Sequence, residues 1–483
     1  MTYSKETLKQ AIAQKLRLNY GCTEQQATEG EMMKACAMVL RDVMAGNGVD
    51  SRQRDTAAGK KRVHYMSMEF LMGRSLMKNA YNLGSVSKTT GSGGKYFGSV
   101  VGQNNGGFFT NTYYNKETSA FKAVGAEDGT SSDVEGSAGK TTVELAGATL
   151  ETLGFDGWVW EKGGVSYEKS TGKLTLSYPY LKKFSDAQHK ETITLFTVVD
   201  NVIQIMNKTD LKNFAKLVNE YGITDADAKL AGNEGITWNS NLLGTDNANV
   251  KADGSFDLEA YKTAHDGAEP DPWTPIGNSS KKYTGTFDGA GKTVSGLYFN
   301  NDESNVGLFG YVNGGVVKNV GVVDSYFKGK ENVGGVVGHA SGATITSVYN
   351  TGSVSGSSFV GGVVGIADYK MTITSVYNTG FVSGGSNVGG VVGYASGAIT
   401  SVYNTGSVSK TTGSEGKYFG NIVGRNNGVS LANAYYNTET SSFKAVGAED
   451  GMSSDVEGTA GKTTAELIAG TSVTLDETAW AVG

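Results

Sequence analysis

The sequence predicts a mainly β protein: a right-handed parallel β-helix, a three-sided solenoid, with a small α-helical N-terminal fragment and a short capping helix. Two observations carry this. Glycine makes up 69 of 483 residues and proline only 4, against a usual glycine share of roughly 7%. Such a surplus without proline needs a regular structure rather than a disordered linker. The second observation is an open repeat. Val306-Gly-Leu-Phe-Gly310, Val333-Gly-Gly-Val-Val-Gly338, Val360-Gly-Gly-Val-Val-Gly365, Val388-Gly-Gly-Val-Val-Gly393 and Phe419-Gly-Asn-Ile-Val-Gly424 follow one another at spacings of 27, 27, 28 and 31 residues.

Each unit carries two further short segments, such as Thr344-Ile-Thr-Ser-Val-Tyr-Asn350 and Gly352-Ser-Val-Ser-Gly356. Three β-branched segments per unit, parted by Gly, Ser and Asn, suit one coil of a three-sided parallel stack. At about 4.8 Å per coil, five coils rise roughly 24 Å. Valine and isoleucine are expected to point inward, with glycine supplying the positive-φ corners. Pro179, Pro270, Pro272 and Pro275 all fall outside the coils, where no ladder amide is lost. Upstream, Thr209 is expected to cap a helix over about 209–221, with Leu211, Phe214, Ala215 and Val218 on one face. Such a helix is a lid for a solenoid end.

These units, with the lead-in Trp273-Thr-Pro-Ile-Gly277, Phe287-Asp-Gly289 and Val294-Ser-Gly-Leu297, resemble the GLUG repeat family of bacterial surface and secreted proteins. The resemblance covers about 84–158 and 193–480, and it implies a structural or adhesion-type module with surface glycans or proteins as partners.

The N-terminal residues read differently. Ser4 can cap a helix with Leu8, Ile12 and Leu16 on its apolar side, ending near Gly21. A second helix is expected over Glu31–Met44, with Cys36, Leu40, Val43 and Met44 on one face and Gly46 as its stop. Val63–Met72 is an apolar run of strand length. The run Lys60-Lys-Arg-Val-His-Tyr-Met-Ser-Met-Glu-Phe-Leu-Met-Gly-Arg-Ser-Leu-Met-Lys-Asn-Ala-Tyr-Asn-Leu-Gly84 resembles the N-terminus of glycogen and starch phosphorylases, and Val39-Leu-Arg-Asp42 fits what precedes it. That family works through pyridoxal phosphate on a lysine and basic residues gripping phosphate, all from the C-terminal part of a far longer chain. Glu69 matches a family glutamate near the substrate pocket, but nothing after Gly84 resembles the rest. The fragment is therefore expected to be inactive.

Residues 84–146 nearly copy 406–468 without a gap, at an offset of 322. Phe121–Gly129, for example, matches Phe443–Gly451. The expected organisation is a phosphorylase-like fragment over 1–84, the truncated end of a first GLUG array over 85–158, a linker over 159–192 and a second array over 193–480. Both parents share Tyr-Asn-x-Gly at the join, as Tyr81-Asn-Leu-Gly84 and Tyr403-Asn-Thr-Gly406. A chimera made by recombination or by an assembly error is the expected origin.

The net charge of −6 and a pI near 5.5 give no basic footprint for nucleic acid. No apolar run is long enough for a membrane span, and the first residues carry no secretory signal. The repeat parent is expected at the cell surface or secreted, and the chain as written in the cytoplasm. Cys22 and Cys36 read as free thiols. Gly-Lys-Thr occurs at 139–141, 291–293 and 461–463, but Val134, Thr286 and Val456 stand where a phosphate loop needs its first glycine. His64, His189, His265 and His339 show no ligand spacing. The sequence therefore assigns no catalytic, cofactor-binding or metal-binding residue. The row Tyr349, Tyr377, Tyr403 beside Asn350, Asn378, Asn404 admits two readings: stacking faces for a glycan, or ladders that hold coils together.

Overall fold

The computed structural model describes residues 5–28, 30–42, 78–83, 85–87, 95–104, 108–150, 152–154, 160–161, 163–181, 190–251, 253–470 and 473. The expected Val63–Met72 strand, Glu69, His64, His189 and the caps at Ser4 and Gly46 lie outside them. The chain forms two compact units, Met1–Gly164 with Ser177–His189, and Val165–Leu176 with Lys190–Gly483.

In the first unit, a helix over Lys5–Tyr20 stops at Gly21, which takes a φ of 64°. Its N–H donates to the Arg17 carbonyl at 3.2 Å. Residues 30–42 are helical and start from a reciprocal cap. Thr28 N–H donates to the Glu31 carboxylate at 2.9 Å, and Glu31 N–H donates to the Thr28 hydroxyl at 3.3 Å. The buried line on this helix is Ala35 and Val39, while Cys36 and Leu40 are only half-buried. The inward face is thus turned by one residue from the expected one. Ala35 and Val39, four residues apart, share one helix face, and the small Ala35 adds little to the apolar pattern read from sequence.

The same unit contains parallel strands Lys78–Asn82, Thr110–Asn115 and Ser137–Lys140. A tight hairpin pairs Val124–Gly125 with Ser131–Ser132. Val100, Phe109, Tyr114, Ala123 and Val124 make its small core. A short helix, Thr142–Ala146, starts at a capping box between Thr141 and Glu144.

In the second unit, the helix Lys208–Asn219 buries Leu211, Phe214, Ala215, Leu217 and Val218. Its N-cap is Asn207, not Thr209: the Asn207 side chain accepts the Asp210 N–H at 3.0 Å. Asp210 in turn accepts the Met206 N–H at 2.9 Å. The physical reason is the extended backbone of Asn207, which aims its side chain at the free Asp210 N–H, while the Asp210 carboxylate holds the residue before the cap. Phe214 meets Tyr283 edge-on at 5.8 Å and lies 6.1 Å from Phe287, so the helix packs over the first aromatic layer of the solenoid.

Three sheets form the sides. The first continues through Thr286–Ser295, Val316–Val323, Thr344–Asn350, Thr372–Asn378, Ala398–Asn404, Leu431–Asn437 and Thr459–Lys462, all parallel. The second includes Tyr298–Asn300, Tyr326–Lys328, Ser353–Gly361, Val382–Gly389 and Val408–Lys410. The third includes Phe309–Asn313, Val337–Ser341, Val364–Asp368, Val392–Ala395 and Val423–Asn426. The mainly β, three-sided solenoid expected from the repeats is therefore present. Inward rows such as Val317, Ile345, Ile373, Ile399 and Leu431 are buried and stack in register.

The expected positive-φ glycines stand at turns between the third and first sides, at Gly314, Gly342 and Gly428, but glycine also plays a second part. Most other recurring left-handed positions belong to Asn319, Ser347, Ser375, Ser401 and Asn433 on the first side, and to Asn332, Phe359, Asn387 and Tyr418 on the second, each just before the Val-Gly or Phe-Gly pair. Asparagine tolerates this region through its short polar side chain. The paired glycines of the Val-Gly-Gly motif are needed instead for close approach. A Cβ on Gly334, Gly361 or Gly389 would strike backbone of its own or the next coil.

Candidate functional site

The most ordered side-chain features lie on the first side. Each Thr-Ser-Val-Tyr-Asn strand takes positive φ at its serine, which interrupts the alternation of the pleat. Valine and asparagine then point inward while tyrosine points out. Register places Tyr349, Tyr377 and Tyr403 in one row and Asn350, Asn378 and Asn404 in another.

The asparagine row is fully buried. Asn350 Nδ2 donates to Asn378 Oδ1 at 2.9 Å, Asn378 Nδ2 to Asn404 Oδ1 at 2.9 Å, and Asn404 Nδ2 to Asn421 Oδ1 at 3.3 Å. Each of the first three also clasps the glycine two residues on, as Asn378 does with the Gly380 carbonyl at 2.9 Å and N–H at 3.2 Å. Every amide is thus used inside the protein, which makes the row structural.

Asn421 is the member that sequence reasoning missed. It occupies the place of the second glycine in the earlier Val-Gly-Gly motifs, and a Cβ on Gly335, Gly362 or Gly390 would strike Asn350, Asn378 or Asn404. The Gly-to-Asn change inside Phe419-Gly-Asn-Ile-Val-Gly424 was the available signal.

The tyrosine rings stack face to face, 4.6 Å apart and 5° from parallel for Tyr349 and Tyr377. Tyr377 and Tyr403 are 4.8 Å apart and 4° from parallel. Tyr349 lies over Gly321, where a Cβ would meet its ring, and Tyr435 follows Tyr403 in register. The faces between neighbours are therefore covered, leaving edges and hydroxyls outward. Burial pushes the Tyr403 hydroxyl up to about 12 and raises those of Tyr349 and Tyr377 as well. This geometry favours coil stabilisation over glycan stacking on ring faces.

The Gly-Lys-Thr motifs resolve into strand and cap. Thr141 and Thr463 each cap a short helix through Glu144 and Glu466, while the 291–293 copy lies within Thr286–Ser295. His265 places Nδ1 2.9 Å from the Tyr261 carbonyl and Nε2 2.9 Å from the Ser240 carbonyl. His339 stacks on Tyr311 at 4.2 Å, and burial lowers its pKa. Among the described residues, no three His, Cys, Asp or Glu side chains are grouped to hold an ion. Among them, too, no helix is long and apolar enough to cross a membrane. Cys22 and Cys36 are both free and half-buried.

Residues 329–355 match the family model described as "The GLUG motif". The chain carries the GLUG motif. The matched span holds the strands Glu331–Gly334, Val337–Ser341 and Thr344–Asn350 and enters Ser353–Gly361, so the motif is one coil of the solenoid. Halomucin of Haloquadratum walsbyi is 31% identical over 139 residues, 27% of this chain and 2% of halomucin. Glycogen phosphorylase of Chlamydia trachomatis is 37% identical over 79 residues, 16% of this chain and 10% of that enzyme. The Haemophilus influenzae glycogen phosphorylase is 31% identical over 71 residues, 15% of this chain and 9% of the enzyme. The chain spans a tenth or less of these curated relatives. The lengths of the phosphorylase matches suit a fused fragment the size of 1–84. No solved structure matches.

The duplicated segments also share a strand register. In the first unit Lys78 pairs with Thr110, Tyr81 with Tyr113 and Asn82 with Tyr114. In the second unit Thr400 pairs with Ala432, Tyr403 with Tyr435 and Asn404 with Tyr436. Every pair is displaced by 322, so Lys78–Asn82 hold in the first unit the register that Thr400–Asn404 hold in the second. Asn82 is buried and donates to the Ser99 carbonyl at 2.6 Å, at the position where Asn404 meets Asn421.

Proposed function

We propose that the chain is a non-catalytic surface-type repeat protein of the structural or adhesion kind, assembled as a chimera. The observation that carries this reading is the parallel stacking from Thr286 to Lys462, interrupted by one bulge between Asp288 and Lys292, in which one GLUG motif is one coil. Such a stack is stabilised by neighbour-to-neighbour contacts and displays its outward rows to partners. The similarity to halomucin supports a surface setting for the repeat parent. Display at the surface is tested by protease treatment of intact expressing cells. Loss of the repeat region supports the reading, and protection until lysis contradicts it.

A second reading follows from the phosphorylase matches: glycosyl transfer with pyridoxal phosphate. In this reading the 1–84 fragment contributes only the N-terminal portion of such an enzyme and is inactive alone. Incubating the purified chain with glycogen, phosphate and pyridoxal phosphate separates the two. No glucose 1-phosphate is expected, and its release would overturn the non-catalytic reading.

A further inference from the structure

On the second side of the solenoid, a groove of ≈ 680 Å³ follows the stacking direction. Its floor holds Lys328, Ser355 and Ser383, which pair in register on successive coils. The turn at Asp253–Ser255 and the segment Thr411–Ser414 line its sides. Two internal bonds fix these walls. Asp253 accepts the Ser255 N–H at 2.9 Å, and the Ser414 hydroxyl donates to the Gly385 carbonyl at 2.6 Å.

Three features define what fits. The lining is mainly serine, threonine and glycine, so recognition must run through hydroxyls. Asp253 and Asp302 face one cation, Lys328, a balance that disfavours an anionic chain. The floor backbone is already laddered: Val354 N–H donates to the Phe381 carbonyl and Val382 N–H to the Ser407 carbonyl, both at 2.9 Å. Peptide capture by strand addition needs a free edge, and this floor offers none. The floor hydroxyls of Ser355 and Ser383, one coil or about 4.8 Å apart, with the serines and threonines of the walls, match a ligand that is itself hydroxyl-rich and extended.

We propose that this groove binds a neutral polysaccharide laid along the solenoid axis. The proposal rests on the reading of the chain as a non-catalytic binding and structural module. The test is affinity electrophoresis of the full chain in gels containing neutral glucan, mannan or galactan, with an acidic polysaccharide gel and a serine-rich peptide titration as comparators. Retardation by at least one neutral polymer is expected. Ser355→Trp, which fills the floor, and Thr412→Trp, on the exposed wall, each weaken it by about tenfold or more. Thr374→Ala, on the first side, leaves it unchanged, and circular dichroism checks that each variant folds. Absence of retardation in every neutral gel, retardation of both tryptophan variants as strong as that of the unsubstituted chain, or binding of the peptide alone overturns the proposal. Surface display is scored separately by the protease experiment, so a protected chain that still binds through the groove sinks the functional reading and not the site.

Discussion

At the residue scale, the coil depends on a partnership between two motifs that look independent in the sequence. The asparagine of Thr-Ser-Val-Tyr-Asn fills space that the second glycine of Val-Gly-Gly leaves open. Asn378→Ala removes the acceptor of the Asn350 amide and the donor to Asn404. Leaving buried amides unpaired costs about 1–3 kcal/mol per group, so a loss of roughly 2–4 kcal/mol is expected in denaturant unfolding. The tyrosine row makes a pH prediction. An unfolded tyrosine ionises near pH ~10, whereas Tyr403 is held up to about 12 and Tyr377 is also raised. Between those values the unfolded chain has lost protons that the folded chain keeps. Stability should therefore be full below about pH 10 and fall as pH rises towards about 12. Tyr403→Phe should flatten that fall, as followed by thermal midpoints across the range. The rows were legible in the sequence as rows. Their geometry was not, because only register and ring orientation show that the faces are covered.

At the scale of elements, three short strands per repeat, the lid helix and its apolar face were all readable from spacing. What failed was local choice among near-equivalent residues. Asn207 and Thr209 are both good caps, and the decision falls to whichever residue is extended with a free backbone N–H three positions on. Asn207→Ala is expected to cost about 1 kcal/mol, while Thr209→Ala, an exposed position, stays within about 0.5 kcal/mol. Chemical denaturation of the two variants decides between them. The glycines were readable only in part, for a related reason. Sequence shows that glycine recurs, but not whether it serves a positive φ or a close approach, and here asparagine and serine hold most recurring left-handed positions.

At the scale of the whole molecule, the chain contains nearly the same segment in two settings. Thr110–Asn115 belongs to a three-stranded sheet among the described residues, and Leu431–Asn437 to an eleven-stranded one. In a stack stabilised by nearest neighbours, protection grows with the coils on either side. Hydrogen exchange should therefore be roughly tenfold or more faster in the first copy, and equal rates would show that stacking depth does not govern stability. The duplication and the shared Tyr-Asn-x-Gly were visible in sequence. That Lys78–Asn82 would take a GLUG strand's register was not, since Lys78-Asn-Ala80 shares little with Thr400-Ser-Val402.

The central claim is that each GLUG repeat is one coil laid parallel and in register on the next. Pairwise cysteine cross-linking tests it most directly, in a background with Cys22 and Cys36 replaced by serine. Thr346 and Thr374 pair in register, as do Thr374 and Thr400. One coil apart, their Cα atoms lie about 4.8 Å from each other, within the disulfide range of about 4.4–6.8 Å. Two coils apart, at roughly 10 Å, they do not. Oxidation should link Thr346→Cys with Thr374→Cys and fail to link Thr346→Cys with Thr400→Cys. Linkage of the distant pair, or none in the near pair, would contradict the account.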